Sequence, residues 1–158
     1  MAIEIRKIEP RRSQLKKFVK FGIDFYKGND YYVPPLVMDD ANTLTPSKNP
    51  AFDFCEAQAF MAFRDGKPVG RIAGIINHKV NGRTGNKDVR FGFVDFIDDP
   101  EVSDALFNAV AEWGRSKGMN SMVGPLGFTD MDQEGMLVEG YEEVGTMATI
   151  YNYPYYPA

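Results

Sequence analysis

The sequence contains very little cysteine and histidine, since Cys55 and His78 are the single examples in 158 residues. One cysteine excludes an internal disulfide and a cysteine metal cage, and one histidine without partners supplies neither a metal site nor a catalytic triad. The near absence of cysteine pairs is typical of a reducing, cytoplasmic setting. We therefore expect no bound metal, and we interpret Cys55 as a buried packing residue.

The sequence also lacks a long apolar run and an excess of positive charge. No stretch approaches the roughly 20 apolar residues that cross a bilayer, and the N-terminus has no apolar signal segment. Eighteen Lys and Arg against 22 Asp and Glu argue against nonspecific binding to nucleic acid or to an anionic membrane, so we expect neither as a partner. The basic residues near the N-terminus have the spacing of a solvated helix face; they are Arg6, Lys7, Arg11, Arg12, Lys16, Lys17 and Lys20.

The first third of the chain contains a strand pattern followed by a helix pattern. Alternating apolar residues predict a strand over 3–8, and apolar residues at three- and four-residue steps predict a helix within 11–29 that ends at Gly28. The segment 30–50 is rich in proline and polar residues, and we interpret it as an irregular covering or functional loop.

The middle of the chain predicts an antiparallel meander. Strands are expected over 56–64 and 68–79, because they flank Asp65-Gly66, a dipeptide that accepts the positive φ angles of a two-residue hairpin turn. The stretch "NGRTGNK" is expected to turn the chain into a third strand over 88–97. Both faces of these strands carry apolar residues, so we expect the sheet to be covered on both sides.

The segment "FVDFIDDPEVSDALFNAVAEWGRSKGM" predicts a strand that passes through an acidic turn into a helix. Asp99 can cap this helix, Pro100 suits its first position because that N–H is unpaired anyway, and Glu101 complements the helix dipole. Trp113 falls on the apolar face and is expected in the core. "SMVGPLG" then predicts a strand parallel to the one before the helix, which makes a right-handed βαβ unit attached to the meander.

This order of elements resembles the GNAT acyltransferase superfamily. The segment "DFIDDPEVSDALFNAVAEWGRSKGMNSMVGPLGFT" and the terminal "YNYPYYP" are similar to bacterial GNAT-related proteins whose longer members carry a second GNAT-like part. The resemblance covers the whole chain and implies an α/β fold with a mixed sheet, an antiparallel meander, one βαβ crossover and helices on both faces. It also implies that 1–158 is a single GNAT-like domain without the C-terminal elements of a complete GNAT fold.

The resemblance places the pyrophosphate of an acyl-CoA on the turn between the fourth strand and the following helix, next to Phe96 and Ile97. Here that turn is "IDDPEV", with added negative charge, a proline without an N–H and no glycine. Each like charge would oppose pyrophosphate by about 1 kcal/mol at an exposed position, so acyl-CoA is a possible but doubtful ligand. Gly124 and Gly127, after the last strand, offer a second phosphate-binding turn, with an ordinary tight turn as the alternative.

The resemblance further implies a tyrosine acid near the end of this sequence, and Tyr155 and Tyr156 occupy that place. Packing of an aromatic tail is the alternative. Asp95 lies in phase with the apolar residues of its strand, and it is interpreted either as a half-buried catalytic base or as a carboxylate with satisfied hydrogen bonds at a strand end.

Two functions follow from these patterns. The first is acyl transfer from an acyl-CoA to an amine, with a small-molecule acyl acceptor. The second is a degenerate GNAT-like module that binds a small ligand or a partner without acyl transfer.

If the later GNAT strands are absent, the strand near 121–127 has an unpaired edge. The segment "VGTMATIYN" then either folds back onto its own sheet or crosses to a second copy of the chain. We expect a homodimer, with a missing C-terminal domain as the other possible partner.

Overall fold

The computed structural model describes residues 2–129, 131–146 and 149–158. Its elements in chain order are β1 (Glu4–Ile8), α1 (Arg12–Phe25), α2 (Val37–Thr43), a short 3-10 turn (Pro50–Asp53), β2 (Cys55–Arg64), β3 (Lys67–Asn77), α3 (His78–Thr84), β4 (Asp88–Phe96), α4 (Pro100–Ser116) and β5 (Ser121–Val123). The five strands form one sheet in the order β1-β2-β3-β4-β5. All neighbours are antiparallel except β4 and β5, which are parallel and joined by α4. The predicted meander with one βαβ crossover is confirmed.

Local sequence signals account for the turns of this sheet. The β2–β3 hairpin turns at Asp65 and Gly66, whose φ angles are 52° and 76°. The Asp99 side chain caps α4 by accepting a hydrogen bond of 2.9 Å from the backbone N–H of Glu101, and Pro100 is the first helical residue. Gly118, just after the helix, has a φ of 85°. The sequence predicts the hairpin turn and the start of α4 from residue type alone.

Two helices lie where the sequence predicts irregular chain or a turn. Within 30–50, α2 forms because Ala41 and Leu44 are buried in the core beside α1, and packing supplies the stability that its seven residues lack. At the end of β3, the Asn77 side chain accepts a 3.0 Å hydrogen bond from the N–H of Val80 and so caps α3, which ends before Gly85. The prediction of a strand continuing to 79 is therefore wrong by two residues.

The sheet is covered on both faces, as its apolar alternation predicts. One core layer lies between the sheet and the helices α1 and α2; its fully buried members include Phe18, Val19, Ala73, Ile75 and Phe128. The other lies between the sheet and α4; its members include Phe60, Ile72, Val102, Leu106 and Val110. Helices therefore pack on both sides of one continuous sheet.

Trp113 lies at the rim of the second core layer and is half-buried. Its ring packs over Gly74, where an added Cβ would lie 2.9 Å from Cε3 of the indole. We expect Trp113→Ala to lower the free energy of unfolding by about 3 kcal/mol, the lower end for a large aromatic residue because part of the ring is exposed. Urea denaturation would measure this change, with Val138→Ala at an exposed position as the matched control. An unchanged midpoint and slope in Trp113→Ala would contradict the prediction.

β5 forms the outer edge of the sheet in the described part of the chain. Its Met122 and Val123 are 37% and 41% exposed. No strand forms in 144–146 or 149–152, and residues 147 and 148 of the predicted extra strand lie outside the described residues. An exposed edge with apolar side chains is a template for pairing with another strand.

The homodimer remains a prediction. Light scattering should give a mass of about twice 17.8 kDa. A monomer mass that persists across a dilution series from high concentration would contradict the prediction.

Candidate functional site

A cavity opens where β4 and β5 separate. The two strands pair from Asp88 opposite Ser121 to Arg90 opposite Val123, and the backbone N–H of Leu126 then donates to the carbonyl of Phe91 at 2.9 Å. Beyond this point β4 continues without β5 as its neighbour. Gly92 is required here, because a Cβ would overlap the carbonyl oxygen of Leu126.

β4 is irregular at the same place. Phe93 has a φ of 50°, which is uncommon for a residue other than glycine, and the pairing of β3 with β4 shifts register between Arg71 and Ala73. Such a bulge bends the strand and redirects its side chains. The irregularity places Asp95 at the inner end of the cavity.

The cavity has a volume of about 530 Å³. Its walls come from the segment between α1 and α2, from β4, from the chain after β5 and from the C-terminal segment. Apolar side chains on the walls include Val33, Pro34, Pro35, Leu36 and Met136, and carboxylates are supplied by Asp39, Asp40 and Asp132. Burial raises the pKa of the Asp40 carboxyl, and the nearby Arg71 guanidinium partly opposes this shift.

A buried ion pair forms the floor of the cavity. Nε and Nη2 of Arg71 on β3 both lie 2.9 Å from Oδ2 of Asp95 on β4. The two residues are 8% and 5% exposed. Nη1 of Arg71 donates to the carbonyl of Phe18 at 3.2 Å, and the guanidinium lies 5.1 Å from the centroid of the Phe18 ring. Both charges are therefore paired, as burial requires.

Two tyrosine hydroxyls complete the network at the other oxygen of Asp95. Oδ1 accepts hydrogen bonds from Tyr26 at 2.7 Å and from Tyr156 at 2.9 Å, and the two hydroxyl oxygens are 3.2 Å apart. The Tyr156 hydroxyl also accepts from the backbone N–H of Phe96 at 3.2 Å. Burial, and then the charge of Asp95, raise the pKa of both tyrosines above the ordinary value. Both phenols are therefore neutral donors at neutral pH.

The structure brings Asp95 and Tyr156 together and separates them from Tyr155. Asp95 is fully buried with four donor contacts, so the prediction of a half-buried carboxylate is wrong and the alternative of a satisfied carboxylate agrees with the geometry. The Tyr155 hydroxyl donates to the carbonyl of Phe96 at 2.5 Å, outside the cavity wall. Phe96 and Ile97 also lie outside the wall, because Phe96 stacks on Tyr156 and the N–H of Ile97 donates to Val69.

The acidic turn at the start of α4 holds its own carboxylate at the helix N-terminus. Asp99 is bound there by the N–H of Glu101 and by the guanidinium of Arg64, whose Nη2 lies 2.5 Å from Oδ2. The hydrogen bond from Arg64, and then that from Glu101, lower the pKa of Asp99. The anion position of this turn is occupied by a residue of the chain.

We expect the turn 98–101 to bind no phosphate. The capping carboxylate competes for the amide groups that an anion would need. Titration of ¹⁵N-labelled protein with inorganic pyrophosphate should leave the amide resonances of 99–103 unchanged. Asp99→Asn, which keeps the cap and removes the charge, is the matched comparison; saturable shifts at these amides in the unmodified protein would contradict the prediction.

The second glycine turn is occupied in the same way. The carboxylate of Asp132 accepts hydrogen bonds from the N–H groups of Phe128 at 2.8 Å and Thr129 at 3.1 Å. Gly127 lines the cavity and must lack a side chain because a Cβ would overlap Asp132; Gly124 packs against the carbonyl of Phe91 instead.

Sequence reasoning misses two members of the network, Arg71 and Tyr26. Tyr26 follows the last residue of α1, and the apolar pattern within 11–29 predicts it as a core residue. Arg71 is the one charged residue in the otherwise apolar run "VGRIAGII", and this is a signal that could have found it, because a charge in a strand with two covered faces needs a buried partner.

Within 2–129, 131–146 and 149–158, no three His, Cys, Asp or Glu side chains are grouped closely enough to hold a metal ion. In the same part of the chain, no helix is both long enough and apolar enough to span a bilayer.

Comparison with solved structures relates this architecture to a known superfamily. A tandem GNAT protein from the clavulanic acid biosynthesis pathway superposes with a TM-score of 0.58 at 13% identity, covering 76% of this chain and 35% of that one. The chain has the GNAT fold. A second GNAT structure, AAC(6')-Iy in complex with a CoA-containing bisubstrate analogue, gives a TM-score of 0.56 at 20% identity over 78% of each chain. The resemblance inferred from the sequence is confirmed.

Two curated relatives match this chain by sequence. The bacterial ceramide synthase of Caulobacter vibrioides is 35% identical over 131 residues, which are 82% of this chain and 34% of the relative. Protein YghO of Escherichia coli is 33% identical over 147 residues, which are 93% of this chain and 37% of the relative. The chain thus spans about a third of the length of these relatives. A scan against models of protein families finds no match.

Proposed function

We propose that this chain forms part of an N-acyltransferase that moves an acyl group from a thioester to an amine. The observation that carries the proposal is the cavity at the separation of β4 and β5, with Tyr156 and Asp95 hydrogen-bonded on its floor. The fold shared with GNAT acetyltransferases supports acyl transfer as the reaction class. The relative named as a ceramide synthase supports it independently, since a ceramide is the amide of an acyl group and a long-chain amino alcohol.

The walls of the cavity favour a cationic, amphipathic acceptor. Three carboxylates, on Asp39, Asp40 and Asp132, give the walls a negative field that attracts an ammonium group. The proline-rich segment between α1 and α2 supplies apolar surface beside them, and Leu36 there is 65% exposed. A primary amine attached to an apolar chain fits both features.

The residues of the floor suit proton transfer without formation of a free tyrosinate. In the proposed reaction the ammonium group first releases one proton to water, and the neutral amine nitrogen then bonds to the thioester carbonyl carbon as the carbon–sulfur bond breaks. The Tyr156 hydroxyl turns its single proton from Oδ1 of Asp95 to the departing sulfur and receives on its oxygen the proton lost by the amine, so the phenol is neutral before and after. Asp95, which is paired with Arg71, orients this hydroxyl before the transfer.

The usual CoA pyrophosphate position does not fit this chain, because Asp99 and Asp132 fill the two candidate anion sites. The same observation favours a second candidate function, a module that binds an amphipathic amine without acyl transfer. The thioester donor, if it is an acyl-CoA, must hold its phosphates away from both turns.

Calorimetric titration with acetyl-CoA and with long-chain acyl-CoAs, followed by mass spectrometry of products formed from long-chain and short amines, tests the proposal. We expect saturable binding of an acyl-CoA in the micromolar range and an amide product with the long-chain amine. Amine binding without thioester binding at millimolar concentration would favour the second function. Asp40→Asn, which removes one wall carboxylate, should weaken binding of the amine and leave thioester binding unchanged.

A further inference from the structure

The guanidinium of Arg71 packs against α1 at Gly22 and Phe18. A Cβ placed on Gly22 would overlap Cζ of Arg71, so the guanidinium in this position uses the gap that glycine leaves in the helix surface. The guanidinium fills this gap, donates to the carbonyl of Phe18 and lies beside the Phe18 ring. One face of α1 is therefore shaped around a single charged group from β3.

This fixed guanidinium in turn fixes Asp95. Arg71 approaches Oδ2 of the carboxylate with two nitrogen atoms at 2.9 Å, which leaves Oδ1 to accept from both Tyr26 and Tyr156. Two donors on each oxygen fill the hydrogen-bonding capacity of a carboxylate and leave it one orientation. The hydroxyl of Tyr156, a residue of the cavity lining, is consequently positioned by a chain of contacts that begins at Gly22.

We propose that Arg71 is a positioning residue that, seated in the Gly22 gap, holds Asp95 and through it the hydroxyls of Tyr26 and Tyr156 at the floor of the cavity. The inference rests on the proposed acyl transfer for its effect on rate, but the geometry it describes exists whether or not the chain transfers acyl groups. A charge-neutralising role alone would need neither the planar guanidinium nor the gap in α1.

The test uses two variants that disturb the contact between Arg71 and α1, one on each side of that contact. Arg71→Lys keeps the positive charge and loses the planar group that reaches Asp95 and Phe18 together. Gly22→Ala keeps Arg71 and fills its gap. Arg64→Met, which removes a half-buried arginine–aspartate pair away from the cavity, is the control for the first variant. Gly114→Ala, where a Cβ would lie 2.8 Å from Val89 on the other face of the sheet, is the control for the second.

Steady-state kinetics with the acyl-CoA and amine that give product should show kcat lowered by about 10- to 100-fold in both test variants, with KM changed little, because misplacing a reacting group by about 1 Å has effects of this size. The double variant should be only slightly slower than Arg71→Lys alone, since both changes break one contact. A wild-type kcat in Arg71→Lys, or independent effects of the two changes, would overturn the inference.

A second measurement is independent of activity. Buried tyrosine hydroxyl protons exchange slowly, so those of Tyr26 and Tyr156 should give separate proton NMR lines in the unmodified protein. Both lines should shift or disappear in Arg71→Lys and in Gly22→Ala, and persist in the two controls. Unchanged lines in the test variants would overturn the inference. A chain without acyl transfer but with the expected NMR changes would overturn the proposed function alone.

Discussion

Replacing Asp95 with alanine will lower the free energy of unfolding by about 3 to 5 kcal/mol. The substitution leaves the guanidinium of Arg71 buried without its counter-charge, and it also removes the acceptor of the Tyr26 and Tyr156 hydroxyls. Leaving a buried charge unpaired costs more than the pair itself contributes, because the charge has already lost its hydration. Equilibrium urea denaturation monitored by circular dichroism would measure the change.

The double variant Arg71→Met/Asp95→Asn provides the control for this prediction. It removes both charges while retaining most of the side-chain volume, so it should be more stable than Asp95→Ala. Arg64→Met breaks a pair whose side chains are 26% and 27% exposed, and it should lower the free energy of unfolding much less than Asp95→Ala. If Asp95→Ala lowered the free energy of unfolding as little as Arg64→Met does, the floor of the cavity would be hydrated and the prediction would be wrong.

Tyr156→Phe is expected to lower kcat for acyl transfer by about 10²- to 10⁴-fold, the range that a positioned proton donor contributes. The phenylalanine ring preserves the stacking on Phe96, whose ring centroid lies 4.5 Å away, and removes only the hydroxyl that bonds to Asp95. KM for the thioester should change little, since the hydroxyl acts on the departing sulfur. Single-turnover kinetics would separate the chemical step from product release.

Tyr155→Phe is the matched control, because it removes a neighbouring hydroxyl that bonds the carbonyl of Phe96 away from the cavity. It should lower kcat by less than about tenfold and affect stability by about 1 kcal/mol. Equal losses of rate in the two variants would contradict the assignment of Tyr156, and a larger loss in Tyr155→Phe would reverse it.

The sequence predicts the parts of this fold that depend on local chemistry. Asp65-Gly66 specifies its turn because both residues tolerate positive φ, and Asp99-Pro100 specifies the start of α4 through a cap and a missing N–H. The helix α2 is missed because its stability comes from burying Ala41 and Leu44 against distant residues. Local propensity does not contain that information.

The candidate site is predicted less completely than the fold, for the same physical reason. Asp95 and Tyr156 are recognisable as residue types at suitable places, yet their hydrogen bond joins positions 61 residues apart. Tyr26 is 130 residues from Tyr156, and nothing near it in sequence distinguishes its hydroxyl from that of a core tyrosine. The bulge at Phe93 is equally hidden, because its positive φ follows from the register of β3 and β4.

The residues of the cavity wall lie far apart in the sequence, and this affects the order in which the wall forms during synthesis of the chain. The residues that build the sheet up to α4 leave the ribosome before 125–156, so both hydrophobic layers can begin to assemble, without Phe128 and Tyr156, while the cavity still has one open side. The pocket becomes complete only when the later segment docks onto β4 and Tyr156 reaches Asp95. Hydrogen exchange should therefore be faster in 149–156 than in β3, and a bound ligand should slow it most in the late-docking segment.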